Sequence, residues 1–326
     1  MKRLLHSLPF LFFALFAKAQ QTNKETHKFL DIGMRECEEK RARYYSIVLE
    51  TDSGFYREDY FLPSKKLAMR GLFRDRGTLT RDGYFYFLYP TGNIMSYGQY
   101  VDGKKNGLWL SYYPDGAMED SASFSNGLVK GIALHWYPNG YLSDSVNINR
   151  AANSVKVSWH DNGQPSASGR LDAFGRMTGK WQFFHSNGKL SSEELYEDGR
   201  QVSHVYYDEN GTRMADTTDE TRPAAYQDGI TAWHQYINDH LWWPKGIRLV
   251  NYGLVTIGAE FTISETGEIK DIHLYCPFDP SFDYIVVDVL KHAPKWIPAM
   301  SHNRTTNYHW REVFSFFPGM KAIGRG

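Results

Sequence analysis

Apolar positions along this chain follow two different periods. From about residue 56 to residue 211, stretches of roughly 10 to 14 residues rich in Tyr, Phe, Trp and Val are separated by Gly-containing turns. Each stretch is long enough for one strand. The turns read Tyr89-Pro90-Thr91-Gly92, Tyr113-Pro114-Asp115-Gly116, Tyr137-Pro138-Asn139-Gly140, His160-Asp161-Asn162-Gly163, His185-Ser186-Asn187-Gly188 and Asn210-Gly211, with glycines 24, 24, 23, 25 and 23 residues apart. A second series lies between them, at Gly103, Gly127, Gly175 and Gly199. Its missing member falls at Ala151, so one repeat is degenerate there. Gly107, Gly131 and Gly179 each follow a member of this series by four residues. Beyond residue 228 the period changes. Ala232, Trp233, Tyr236, Ile237, His240 and Leu241 have helical spacing ended by Pro244, whereas Val255, Ile257, Ala259, Phe261 and Ile263 alternate as a half-buried strand. Glu268 to Tyr275 predicts a second strand. Asp279 caps a helix with Pro280 at its first position and Pro294 beyond its end, and a last strand runs from Tyr308 to Phe317.

A near-even period of turn signals means an internal repeat. Asn-Gly and Asp-Gly supply the positive φ angles of tight hairpins, so each unit of about 24 residues is a β-hairpin. One hairpin buries too little to stand alone, so the units stack side by side. Trp109, Trp136, Trp159 and Trp181 sit just before turns and are expected to stack on one face. The predicted fold is mainly β plus α+β: an elongated antiparallel hairpin-repeat sheet, then a small α+β domain. The predicted division is a signal peptide at 1–19, an N-terminal segment at 20–55, repeats at 56–211, a polar linker at 212–227, the α+β domain at 228–318 and a tail at 319–326. Gln20 to Arg43 is expected to form a charged helix leading into a strand at Tyr44 to Glu50.

The start of the chain changes the functional picture. Met1-Lys2-Arg3 precedes a 13-residue apolar run, Leu4 to Phe16, and then Ala17-Lys18-Ala19. A basic start, a short apolar run and an A-x-A site predict a secretory signal peptide. The run is shorter than the ~20 residues that cross a bilayer. An uncleaved membrane anchor is the alternative. The formal net charge of the whole chain is zero, and cleavage would remove Lys2, Arg3 and Lys18 but no acid. A nearly neutral chain without a basic block argues against nucleic-acid binding and against electrostatic docking to membranes. Two cysteines, Cys37 and Cys276, permit a disulfide in an oxidising compartment but make no framework.

The repeat residues resemble the MORN-variant repeat, of the kind found in YwqK-like proteins. The segments "GNIMSYGQYVDGKKNGLW", Gly92 to Trp109, and "FFHSNGKLSSEELYEDGR", Phe183 to Arg200, carry the resemblance, and "DYFLPSKKLAMRGLFRD", Asp59 to Asp75, is a worn copy. Such repeats appear in scaffolds, in lipid-associated proteins and in the YwqK-type antitoxin family, of which the signal-like start argues against a cytoplasmic antitoxin; the ten turn glycines from Gly92 to Gly211 are structural. The later segment resembles the C-terminal domain of TonB through "YINDHLWWP" (Tyr236 to Pro244), "FTISETGEIKDIHL" (Phe261 to Leu274) and "FDYIVVDVLKHAPKWIPA" (Phe282 to Ala299). The stretch from Ser301 to Phe317 is more polar and aromatic than that pattern. The resemblance implies that an extended peptide of an outer-membrane receptor adds to the edge of the last strand. The residues it points to are Tyr308, Trp310, Val313, Phe314 and Phe316.

No H-E-x-x-H, G-x-S-x-G, phosphate-loop or C-x-x-C motif is present, and no His pair has helical ligand spacing. Glu193-Glu194 and Asp219-Glu220 are expected to be solvated, with adjacent residues on opposite faces of a strand. The expectation is a non-enzymatic, cofactor-free protein of the periplasm or cell envelope, binding other proteins through the sheet and the TonB-like domain. The alternatives are a TonB-like energy transducer with a retained N-terminal anchor, and a hydrolase or glycan-active enzyme using the aromatic sheet as a platform.

Overall fold

The computed structural model describes residues 24–148, 154–215, 218, 220–249 and 253–320. The expected signal peptide at 1–19 and the degenerate turn at Ala151 lie outside the described residues. Fifteen strands form one antiparallel sheet in which every strand pairs with its neighbours in the chain. They are β1 (Glu25–Leu30), β2 (Tyr44–Thr51), β3 (Gly54–Phe61), β4 (Leu67–Phe73), β5 (Arg81–Leu88), β6 (Ile94–Val101), β7 (Lys104–Tyr112) and β8 (Met118–Ser125). They continue as β9 (Leu128–Trp136), β10 (Leu142–Ile148), β11 (Ser154–Trp159), β12 (Pro165–Leu171), β13 (Met177–Phe184), β14 (Leu190–Glu197) and β15 (Arg200–Tyr206). The second unit contains α1 (Gly229–His240), β16 (Val255–Ile263), β17 (Ile269–Cys276), α2 (Pro280–Lys291), a hairpin of β18 (Ala299–Ser301) and β19 (Arg304–Thr306), and β20 (Tyr308–Phe316). Its main sheet has the order β17-β16-β20.

Two turn chemistries alternate along the large sheet. At one end, which we call the near end, Tyr89 N–H donates to Asn93 O and Gly92 N–H to Tyr89 O, and the pattern recurs at Tyr113, Tyr137, His160, His185 and Asp208. The glycines there, Gly92, Gly116, Gly140, Gly163, Gly188 and Gly211, have φ between 80° and 98°. At the far end, Asp102-Gly103, Asn126-Gly127 and Asp198-Gly199 have positive φ at both residues, the signature of a two-residue type I′ turn. Gly175 closes a wider turn, with Asp172 N–H bonded to Arg176 O. Gly107, Gly131 and Gly179, at φ of 70°, 73° and 66°, sit where the pairing register slips by two residues. They are β-bulges that only a left-handed residue makes without strain.

A different set of glycines shapes the face of the sheet. A Cβ at Gly71 would come within 2.4 Å of the Phe85 ring, at Gly98 within 2.3 Å of Trp109, and at Gly169 within 2.1 Å of Trp181. Each ring lies flat over a glycine on the adjacent strand. Two aromatic clusters result on one face: Met69, Phe73, Phe85, Tyr100 and Trp109, and Ala167, Trp181, Phe183 and Tyr196. Between them the glycine–tryptophan pair is replaced by Ala122, Ala133 and Val146, which pair across β8, β9 and β10.

Several expectations need correction. The described part of that segment, residues 24–43, is not a charged helix: β1 pairs with β2, and a 3-10 turn forms at Glu39–Arg41. A short charged helix had no apolar face to bury, whereas β2 offered an open edge. The four tryptophans do not share a face. The register puts Trp109 and Trp181 on one face and Trp136 and Trp159 on the other, because alternation from strand to strand, not distance from a turn, decides the side. The linker is not a free tether. Arg222 pairs with Met300 and Ala225 with Ile297, while Ala224 and Tyr226 are buried in the C-terminal core. Cys37 and Cys276, whose pairing the sequence left open, are not joined to each other.

The C-terminal unit is a true core. Trp233, Ile257, Phe261, Phe282, Val286, Trp296 and Phe314 are essentially inaccessible. Asp279 accepts from Ser281 N–H at 2.9 Å, as an N-cap should. Gly267 is required because a Cβ there would lie 2.0 Å from Trp296 O, where the Pro294–Pro298 segment crosses the β16–β17 turn.

Gly98→Ala and Gly169→Ala are expected to destabilise by about 1–3 kcal/mol through overpacking against an indole. Gly98 and Gly169 carry no positive φ, so the loss is steric. Gly116→Ala, whose added Cβ meets nothing within 4 Å, should cost about 1 kcal/mol through φ strain alone. Urea unfolding followed by near-ultraviolet circular dichroism separates the two classes.

Candidate functional site

The predicted peptide-binding strand is an edge. β20 pairs with β16 over its whole length, from Val255↔Phe316 to Ile263↔Tyr308, and has no strand on its other side among the described residues. Alternation splits its side chains. Phe314 and Phe316 are fully buried, and Tyr308 and Trp310 pack against the same core. His309, Arg311 and Val313 point the other way and are exposed. The expectation that Phe314 and Phe316 contact a ligand is therefore corrected, since both are buried in the C-terminal core, Phe316 against Phe282 of α2. Tyr308 and Trp310 remain half-buried, and Val313 is 41% exposed.

The residue that sequence reading missed on this strand is Glu312. Its Oε2 accepts from Trp233 Nε1 at 2.9 Å and Trp310 Nε1 at 3.3 Å, and His234 Nε2 lies 3.8 Å away. Its side chain is 15% exposed. On the opposite side of β20, Arg311 pairs with Glu260 at 2.8 Å and lies over the Tyr275 ring.

A second surface joins the two units. The tip of the β18–β19 hairpin carries His302 and Asn303 at φ of 56° and 58°, a type I′ turn made without glycine. The His302 ring lies 3.5 Å above the Phe183 ring, at 6°. Its Nδ1 is 3.0 Å from both oxygens of Glu194, whose side chain has no solvent exposure. Ser192 and Tyr196 hydroxyls donate to the same carboxylate at 2.7 and 2.6 Å. Burial alone would raise the Glu194 pKa, but these donors and the His302 charge bring it down to about 2. Arg304 donates to Ser166 Oγ at 2.9 Å and Phe184 O at 3.0 Å. Asn303 Nδ2 donates to Tyr207 O at 3.0 Å. Glu194 was expected at the surface; it is covered because the hairpin lands on it. At the other end of the sheet, the buried Arg43 guanidinium reaches Pro277 O and lies over the Phe278 ring, and Tyr44 hydrogen-bonds Cys276.

These contacts bend the large sheet. Tyr44 at the start of β2 and Asp161 in the β11–β12 turn would lie about 45 Å apart on a flat sheet. Cys276 meets the first, and Lys270 pairs with the second at 3.0 Å. The strand between Lys270 and Cys276 covers about 20 Å. The near end of the sheet therefore curls around the C-terminal unit.

The glycines Gly92, Gly103, Gly116, Gly127, Gly140, Gly163, Gly175, Gly188, Gly199 and Gly211 lie at turns. Near-end rings link successive repeats: Tyr89 Oη donates to Tyr112 O, Tyr113 Oη to Trp136 O and Tyr137 Oη to Trp159 O, at 2.6 to 2.9 Å. His160 Nε2 and His185 Nε2 bond Phe184 O and Tyr207 O at 2.9 and 3.0 Å.

The nearest arrangement to acid–base chemistry is a polar row across β8–β11. His135 Nδ1 is 2.6 Å from Asp120, and Ser158 Oγ donates to Asp144 at 2.7 Å. The hydrogen bond to Asp120 raises the His135 pKa, and burial with Asp120 beside it pushes Glu119 up to about 7. This row can hold and exchange protons near neutrality, but Ser158 bonds a carboxylate rather than an imidazole, which gives it no nucleophile–base pair. Among the described residues, no group of three or more His, Cys, Asp or Glu could hold a metal ion, and no helix is long and apolar enough to cross a membrane.

Residues 177–198, which span β13 and β14, match the MORN repeat variant. No curated protein matches the chain. The match and the fifteen-stranded antiparallel sheet fit a MORN-repeat protein.

The Glu194 carboxylate stabilises docking fully above about pH 4.5, its ordinary pKa, and loses that effect as pH falls toward about 2. Limited pepsin digestion between pH 5 and pH 2 should show residues 212–227 becoming cleavable across this window. His302→Ala should open the same segment at neutral pH, with a loss of about 2 kcal/mol from an orphaned buried carboxylate.

Proposed function

We propose that this protein is an exported cell-envelope scaffold that binds extended segments of partner proteins at the open edge of β20, and that it works by binding rather than catalysis. The observation that carries this reading is an unpaired strand edge mounted on a rigid core, which is itself clasped to a long repeat sheet. An extended peptide adding there would gain main-chain hydrogen bonds on the open side and pockets for alternate side chains. The order α1-β16-β17-α2-β20, with the β18–β19 hairpin inserted, supports the likeness to the TonB C-terminal domain. MORN-type repeats point to a scaffold for proteins or membranes, and the signal-like start, Met1 to Ala19, points to export.

Fractionation of the source cells with intact-mass measurement tests the export half of the proposal. A soluble envelope form beginning near Gln20 is the expected result. A full-length form held in the inner membrane would overturn it in favour of the energy-transducer reading.

A further inference from the structure

The open side of β20 is partly occupied by its own chain. Val313 N–H donates to Glu312 Oε1 at 3.1 Å. A side chain can accept from that amide only where no strand lies alongside, so Val313 N–H faces the open edge. Phe317 N–H, an even number of residues further on, is taken by Met320 Sδ at 3.2 Å. Both amides would serve as donors to an added strand, and both are held by acceptors from within the chain.

Strand addition changes the state of Glu312. A partner carbonyl replaces Glu312 Oε1 on the Val313 amide. Oε2 keeps its two indole donors, Trp233 and Trp310. Oε1 is left without a donor on a side chain only 15% exposed. A half-buried carboxylate that has lost a hydrogen bond is unfavourable. The incoming segment removes that penalty if it carries a donor of its own, and a cation satisfies both the lone pair and the charge. On the other side of β20, the strongly charged group, Arg311, is already paired with Glu260, and Val313 offers an apolar contact.

We infer that β20 selects an extended segment carrying a Lys or Arg on the side facing Glu312 and an apolar or β-branched residue on the side facing Val313. Glu312 is a self-cap of the edge in the free protein and the specificity-determining residue of the bound one. This rests on the strand-addition reading and names the partner chemistry of that site.

The test uses the full mature chain. A displayed library of random nine-residue peptides is selected on wild type and on Glu312→Gln. A peptide from the wild-type pool is then compared with its Lys→Leu version by isothermal titration. The expected result is a basic residue enriched at one position on wild type only, with the Leu version bound about tenfold more weakly by wild type and equally by Glu312→Gln. Val313→Pro, which removes an outward amide that β16 does not use, should abolish binding of both peptides while leaving the thermal midpoint in place. Enrichment with no basic position, still lost in Val313→Pro, would overturn the cation preference and leave strand addition standing. Enrichment that survives Val313→Pro, or no enrichment at all, would overturn strand addition and the cation preference with it.

Discussion

A one-layer sheet has no second layer to hold its repeats in place, so each repeat here is fastened to the next through a ring. The near-end Tyr or His of one turn bonds a carbonyl at the near end of the following repeat, from Tyr89 through to His185. Each such bond is worth about 1 kcal/mol net, and together they form a spine along one border of the sheet. Asn side chains run a parallel line from turn to turn, as Asn93 does to Pro114 O and Asn162 to Ser186 O. The spine fixes the spacing on which the aromatic–glycine contacts depend. Trp109 can lie flat on Gly98, and Trp181 on Gly169, only while adjacent strands keep that spacing.

The two ends of the sheet are aromatic and the middle is polar, and the C-terminal unit follows that division. Its clasp uses the second aromatic cluster, through His302 on Phe183, and its opposite contact uses the start of β2, through Arg43 and Phe278. Between these anchors lie Asp120, His135 and Asp144 on the same face. Among the described residues nothing covers the other face, which carries exposed Tyr84, Leu108, Ile132, Val155 and Leu195. Its tyrosines Tyr86, Tyr97 and Tyr112 lie nearly parallel to one another across three strands, with ring centroids 5.8 and 6.4 Å apart.

The turn glycines made the repeat sheet legible, because positive φ is a backbone demand that few other residues meet. The α1, β16, β17, α2 and β20 order was legible for a similar reason: strict alternation in Val255–Ile263, and a helix bounded by Asp279-Pro280 and Pro294. The β18–β19 hairpin was not, since its tip is His302-Asn303 and contains no glycine. Its absence from the reading hid everything that follows from it, including the burial of Glu194, which looked like an ordinary solvent-facing carboxylate beside Glu193. On β20, alternation was visible but the inward side was not. Phe314 and Phe316 read as plausible contacts because nothing in the sequence says which face α2 covers. Glu312 was passed over for the opposite reason, as its partners Trp233 and Trp310 come together only through tertiary packing.

The curl of the sheet has a consequence for how such a protein can evolve. An open solenoid gains or loses repeats freely, because each unit touches only its neighbours. Here a single small domain touches β2 through Arg43 and Tyr44 and β14 through Glu194. Duplicating one hairpin would insert about 10 Å of sheet between those two anchor points, and one of them would come loose. The C-terminal domain thus acts as a gauge that counts the hairpins and holds their number fixed.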